Sequence, residues 1–166
     1  MFAILQDHYF TTATILHWQN LLKDDSIKDI IIGAFRYCVE KRKANILAFV
    51  IMDNHFHLVW QILPPYELGK VRQPMLKFIS QQIIQKLMDE EKWDVLENYK
   101  VRHKDRYFQI WKKNPLSIEC NDPKILKQKI DYVHYNQEKK GGNDVGYKYS
   151  SALYWATGVK NWDFLY

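Results

Sequence analysis

Residues 45–63, NILAFVIMDNHFHLVWQIL, decide the fold class of this chain. They contain two apolar runs of strand length, residues 45–52 and 55–63, on either side of Asp53-Asn54. Asp and Asn favour turns because their side chains bond to nearby backbone groups and tolerate the turn conformations. Two strand-like runs around a short polar turn predict an antiparallel β-hairpin.

The hairpin is flanked by further elements on both sides. The predicted strands are residues 8–18, 107–111 and 116–119, and the predicted helices are residues 24–43, 73–92 and 122–137. Residues 93–106 have no clear periodicity. Strand, helix, hairpin, helix, strand, helix in this order predicts an α+β fold, an antiparallel sheet of about four or five strands with helices packed against it.

Length and composition exclude several classes of protein. The 166 residues contain no repeat, low-complexity tract or linker, so residues 1–166 are predicted to form a single domain. The two cysteines, Cys38 and Cys120, are too few for a disulfide framework and lack the spacing of a zinc site. We therefore expect free thiols. No apolar run reaches the length of a membrane span, and the first residues lack signal-peptide features. We expect a cytoplasmic protein with no membrane partner.

The net charge of +5 is too small to indicate a polyanionic partner by itself, but the basic residues are unevenly distributed. Six of them lie between residues 99 and 113, where aromatic residues are interleaved with them. Cations for phosphates beside rings for bases are what single-stranded nucleic acid requires. The candidate contacts are Lys100, Arg102, Lys104, Arg106, Trp111, Lys112 and Lys113. The alternative is a solvated basic loop whose aromatic side chains, Trp111 included, face the core.

His55 and His57 are two residues apart on the second strand of the predicted hairpin. Alternate residues of a strand share a face, which places these Cα atoms about 7 Å apart with both imidazoles on one side. Two imidazoles can chelate a divalent metal. Alternatively, the two histidines fill ordinary strand positions.

Tyr132 and Asn136 lie four residues apart on the last predicted helix and therefore share a face. A phenol attacks productively only when its electrophile is activated, for instance by a metal. The amide of Asn136 could supply a further metal ligand, and Lys129, one turn before Tyr132, could contact a phosphate. Without other context, an aromatic helix face packed on the sheet explains Tyr132 better than a catalytic role.

In combination, these motifs resemble a known family. Residues 49–59, FVIMDNHFHLV, resemble the HUH-motif strand of REP-associated tyrosine transposases, and residues 132–136, YVHYN, followed by Lys139-Lys140, resemble that family's tyrosine-helix signature. Residues 9–14, 109–111 and 147–151 agree in order and spacing, so that the resemblance covers about residues 8–156. Two departures are Asp53, where the family usually has Pro, and Asn136-Gln137, where it has Asn-Pro after the helix.

The resemblance implies a ferredoxin-like antiparallel sheet with the histidine strand near its centre. It also implies cleavage and rejoining of single-stranded DNA at or beside a hairpin. Tyr132 would be the nucleophile that forms a 5′-phosphotyrosine, and His55, His57 and Asn136 would hold Mg²⁺ or Mn²⁺. Relatives include both dimers and monomers, so the resemblance leaves a homodimer open.

Two other functions are compatible with the same residues. One is a domesticated protein that binds hairpin or repeat DNA and no longer transposes anything. The other is a metal-dependent hydrolase that uses water, which would need the two histidines but not Tyr132.

Overall fold

The computed structural model describes residues 5–135 and 145–166, in which four strands and five helices follow one another. The strands are β1 (His8–Thr14), β2 (Ala44–Ile51), β3 (His55–Ile62) and β4 (Leu116–Glu119). The helices are α1 (Asp25–Glu40), α2 (Leu68–Asp89), α3 (Trp93–Glu97), α4 (Pro123–Tyr135) and α5 (Ala152–Thr157). Two 3₁₀ turns, Leu16–Trp18 and Leu21–Lys23, connect β1 to α1.

The four strands form one antiparallel sheet in the order β2-β3-β1-β4. This confirms the predicted α+β class, the hairpin of β2 and β3, and the interior position of the histidine strand. In the register of β1 and β3, Thr12 is opposite His57 and Thr14 is opposite His55. Both histidines are therefore flanked by paired strands, which fix the backbone beneath their side chains.

One face of the sheet carries the larger apolar core, beneath α1 and α2. Phe56, Leu58 and Trp60 of β3 point into it and are fully buried. Burial of each such side chain contributes about 1.5–3 kcal/mol. The indole N–H of Trp60 donates to Thr11 Oγ1 at 3.0 Å, so the one polar atom of that side chain is satisfied. Alternation along β3 therefore sends His55 and His57 to the opposite face.

The opposite face is covered by α4. A smaller apolar cluster lies there, and it contains Phe10, Ala48, Val50, Met52, Val59, Cys120, Ile130 and Val133. Asp122 caps α4 by accepting from the backbone N–H of Lys124 at 2.7 Å, as the Asp-Pro pair predicted. The buried side chains dock α4 on the face that carries the two histidines.

The strand predicted at residues 107–111 is wrong. Only isolated bridges form there, between Lys100 and Phe108 and between Ile15 and Trp111. The edge of β1 that faces away from β3 pairs with β4, so the segment of residues 107–111 has no partner strand along its length. It packs against α2 instead.

Boundaries of other elements also differ from the predicted ones. β1 ends at Thr14 because the next turn contains left-handed backbone at His17 and Trp18. α1 ends at Glu40, before the left-handed Arg42. α2 begins five residues earlier than predicted and contains Pro74 within it.

Both cysteines are buried free thiols, as expected, and burial raises the pKa of Cys38 to about 11. Within residues 5–135 and 145–166, no helix has the length and apolar character needed to cross a membrane.

Candidate active site

His55 and His57 form a close pair on the α4 side of the sheet. Their ring centroids are 4.8 Å apart with the planes at 70°. His55 is half-buried and His57 is 5% exposed. The strand register thus brings two imidazoles together at the margin between core and solvent, as the spacing predicted.

His57 is held on two sides. Its ring stacks on Phe10 with centroids 5.2 Å apart, and its Nδ1 lies 2.7 Å from Thr12 Oγ1. Burial, reinforced by the nearby His55 and Lys129, lowers the pKa of His57 to about 3. The imidazole is therefore neutral at physiological pH, the state in which it can donate a lone pair to a metal.

His55 is oriented by the residue before it. Its Nδ1 lies 2.7 Å from Asn54 Oδ1, while Asn54 Nδ2 donates to the carbonyl of Trp18 at 3.5 Å. An amide oxygen only accepts, so Nδ1 of His55 carries the proton and Nε2 carries the lone pair for a metal. From the sequence, Asn54 was identified only as a turn residue, and its role in orienting His55 emerges from the structure.

Tyr132 projects from α4 beside this pair. Its ring centroid is 5.4 Å from that of His57 and 5.8 Å from that of Phe10, both in edge-on geometry. The buried side chains of Ile130 and Val133, which precede and follow Tyr132 in the sequence, anchor the helix on the sheet. Tyr132 remains 45% exposed, so that an external substrate can reach it.

Lys129 adds a positive charge to the same place. Its Nζ lies 5.0 Å from the Phe10 ring centroid and 6.0 Å from that of Tyr132. A cation beside a phenol and a histidine pair favours an anionic substrate.

The third predicted metal ligand, Asn136, lies outside the described residues. Among residues 5–135 and 145–166, no three His, Cys, Asp or Glu side chains lie together as a metal site. The donors in view are thus the two imidazoles of His55 and His57. These fit a divalent cation that completes its coordination with amide, water or substrate oxygens.

The predicted nucleic-acid contacts are mostly on the surface. Exposed side chains are those of Lys100, Arg102, Lys104, Arg106, Lys112 and Lys113. Lys100 pairs with Glu97 at 2.8 Å and Arg106 with Asp105 at 3.2 Å. The end of this segment lies against β1 at Thr14, the residue opposite His55, because the backbone N–H of Lys112 donates to the carbonyl of Thr14 at 2.8 Å.

The prediction that Trp111 contacts nucleic acid is wrong. It is 8% exposed, its indole N–H donates to the carbonyl of Leu76 at 3.1 Å, and its ring meets the edge of Phe56. These contacts place it in the core, as the alternative interpretation had it, and a base cannot stack on it there.

His134 lies on another side of α4 from Tyr132. Its Nε2 is 2.7 Å from Ser151 Oγ, and burial lowers the pKa of His134 to about 4. Ser151 Oγ also accepts from the backbone N–H of Phe49 at 2.9 Å. This contact joins α4 to the C-terminal segment and to β2, an anchoring role that the sequence did not reveal.

No protein-family model and no curated protein matches the chain. A solved REP-associated tyrosine transposase bound to a REP hairpin is similar with a TM-score of 0.64 and 16% sequence identity, covering 98% of this chain and 88% of that chain. A proposed transposase from Deinococcus radiodurans is similar with a TM-score of 0.48 and 14% identity, covering 82% of this chain and 93% of that chain. The chain thus has a fold similar to that of a REP-associated tyrosine transposase, in agreement with the resemblance of its motifs.

Proposed function

We propose that this chain is a metal-dependent endonuclease and strand-transferase that acts on single-stranded DNA at hairpins, as a transposase. The observation that carries the proposal is the position of the Tyr132 ring, 5.4 Å from His57, with His55 on the same face. A fold similar to that of a transposase bound to a REP hairpin supports hairpin DNA as the partner.

The proposed reaction is a transesterification. The phenolic oxygen of Tyr132 forms a bond to phosphorus, and the bond from phosphorus to the 3′-oxygen breaks. Tyr132 releases its proton to solvent, and the departing 3′-oxygen takes up a proton to become a hydroxyl. The 5′-phosphotyrosine retains an ester bond, so the reverse attack by a 3′-hydroxyl can rejoin strands without an external energy source.

His55 and His57 would hold Mg²⁺ or Mn²⁺, with Asn136 as the proposed third ligand. When bound, the cation would stabilise negative charge on the phosphate oxygens. Thr12 would orient the imidazole of His57 for this role, and Asn54 that of His55, through their hydrogen bonds to Nδ1. Lys129 provides a cation to position the phosphate beside Tyr132.

The nucleophile and the histidine pair come from the same chain. Tyr132 contacts Phe10 and His57 of its own sheet, so the geometry supports cleavage by a single copy. A homodimer is not needed to bring these groups together.

The exposed basic residues provide the proposed path for the DNA backbone. Lys112 and Lys113 lie at the histidine end of the sheet, and Lys100, Arg102, Lys104 and Arg106 extend along the segment before them. Their contacts with phosphates would be independent of sequence.

The test is formation of a covalent protein–DNA adduct on labelled hairpin DNA with single-stranded flanks, in the presence of Mn²⁺ or Mg²⁺. Denaturing gels should show an adduct with the wild type and none with Tyr132→Phe. Tyr135→Phe is the matched control, since Tyr135 is on the same helix and 57% exposed.

An adduct that persists in Tyr132→Phe would contradict the assignment of the nucleophile. Hairpin binding without any adduct would favour the repeat-binding protein. Metal-dependent hydrolysis that survives in Tyr132→Phe would favour the hydrolase that uses water.

A further inference from the structure

Trp18 is an exposed aromatic residue held in an unusual backbone conformation. It is 58% exposed, and both His17 and Trp18 have left-handed φ angles, of 56° and 57°. Residues other than glycine rarely adopt this conformation, because their Cβ atom crowds the following carbonyl oxygen. The turn is held by bonds from the backbone N–H of Leu16 to the carbonyl of Ile110 at 2.8 Å and from that of Trp18 to the carbonyl of Ile15 at 3.0 Å.

This turn adjoins the candidate active site. The carbonyl of Trp18 accepts from Asn54 Nδ2 at 3.5 Å, and Asn54 Oδ1 lies 2.7 Å from His55 Nδ1. A single side chain therefore separates the backbone of Trp18 from the ring of His55.

A lysine ammonium group lies over the exposed ring. Lys112 Nζ is 5.2 Å from the Trp18 ring centroid, and Lys113 follows it in the chain. Both lysines and Trp18 line a cleft of about 450 Å³. The remaining lining residues are Leu16, His17, Val101 and Gln109. An exposed indole with adjacent ammonium groups offers stacking to a base and charge pairing to its phosphate.

From this arrangement we propose that Trp18 is a stacking platform for an unpaired base of the DNA strand, close to the phosphate that is cleaved. Lys112 occupies one side of the ring and would pair with the phosphate of the nucleotide whose base covers the other side. The inference rests on the proposed function and extends it with a subsite for a single-stranded nucleotide. Stacking tolerates any base, so this subsite would add affinity with little sequence preference.

The test compares binding of two fluorescent oligonucleotides of equal length, poly-dT and an abasic counterpart, by anisotropy. Trp18→Ala should bind poly-dT roughly 5- to 100-fold more weakly than the wild type and the abasic strand equally well. Trp18→Phe keeps an aromatic ring, so its affinity for poly-dT should lie between that of Trp18→Ala and that of the wild type. The matched control is Trp93→Ala, which removes a 56% exposed indole on α3.

Three outcomes would overturn the subsite. If Trp18→Ala binds poly-dT as the wild type does and still forms the Tyr132-dependent adduct, the subsite is wrong and the proposed function stands. An equal loss on poly-dT and on the abasic strand would mean that the base does not stack on Trp18. If the wild type neither binds single strands nor forms an adduct, the proposed function fails together with the subsite. Thermal melting of Trp18→Ala and Trp18→Phe checks that both variants fold.

Discussion

Thr12 Oγ1 lies 2.7 Å from His57 Nδ1, across the register pair that these two residues form between β1 and β3. When the hydroxyl accepts the Nδ1 proton, Nε2 of the neutral ring carries the lone pair that would bind a metal. A hydrogen bond of this kind fixes both the tautomer and the ring orientation of a metal ligand.

Removal of that hydroxyl should weaken metal binding without unfolding the protein. Thr12→Val keeps the shape and the β-branch, and we expect Mn²⁺ affinity to fall about 10- to 100-fold. Calorimetric titration with Mn²⁺ measures this. Thr14→Val makes the same chemical change two residues later, where no side-chain hydrogen bond is formed within the described part of the chain. Equal affinity in Thr12→Val and wild type would show that the hydroxyl does not orient His57.

Removal of the metal or of either histidine should abolish adduct formation. EDTA, His55→Ala and His57→Ala each eliminate an essential component of the proposed centre, and Mn²⁺ should restore the EDTA-treated wild type at lower concentration than Mg²⁺, because imidazole suits the softer ion better. Gel assays over a range of metal concentrations measure both effects. His103→Ala changes an exposed histidine away from the pair and should behave as wild type. A full adduct yield in EDTA would contradict the metal dependence.

The basic segment should contribute affinity through phosphates. Arg102 and Lys104 are exposed and have no ion pair within residues 5–135 and 145–166, so their charges are available to DNA. Arg102→Ala and Lys104→Ala should each weaken single-strand binding for every sequence and lower the salt-dependence slope by about 0.7. Anisotropy titrations at several salt concentrations measure the slope. Lys41→Ala, on the turn after α1, serves as the control, and an unchanged slope in both Arg102→Ala and Lys104→Ala would remove these residues from the DNA path.

The N-cap of α1 predicts a pH-dependent contribution to stability. Asp24 accepts from the N–H and hydroxyl of Ser26, and these hydrogen bonds, with a smaller effect of Lys92, lower the pKa of Asp24. A carboxyl whose folded pKa is lowered stabilises the protein above its unfolded pKa of 3.8 and loses that contribution as the pH falls through the folded pKa.

Chemical denaturation of variants measures this contribution. Asp24→Ala should lower the free energy of unfolding by about 1 kcal/mol at neutral pH. Asn at position 24 can also cap the helix but does not titrate. The difference in free energy of unfolding between the wild type and Asp24→Asn should therefore change only as the pH falls below about 4. A difference that stays constant down to pH 3 would contradict this account of the cap.

The sequence predicts the central part of the fold well because alternation and turn chemistry are local. Residues 45–63 encode both strands of the hairpin, the turn and the common face of His55 and His57. Helix α4 begins at Asp122-Pro123 for an equally local reason.

What the sequence misses depends on tertiary contacts. Trp111 is buried against Leu76, whereas Trp18 is exposed. The residues around each tryptophan in the sequence do not reveal this difference. The expected start of α2 at residue 73 is also too late, because the helix begins at Leu68 and includes Pro74. The approach of Tyr132 to His57 joins residues 75 positions apart and was expected only from the family resemblance.

The most direct test of the central claim is to locate the covalently bound nucleotide by peptide mass spectrometry after nuclease and trypsin digestion of the adduct. The peptide of residues 130–139 contains both Tyr132 and Tyr135, so fragmentation distinguishes the two phenols. The account predicts a phosphonucleotide on Tyr132 and none on Tyr135. A nucleotide on Tyr135 or on any residue other than Tyr132 would contradict it.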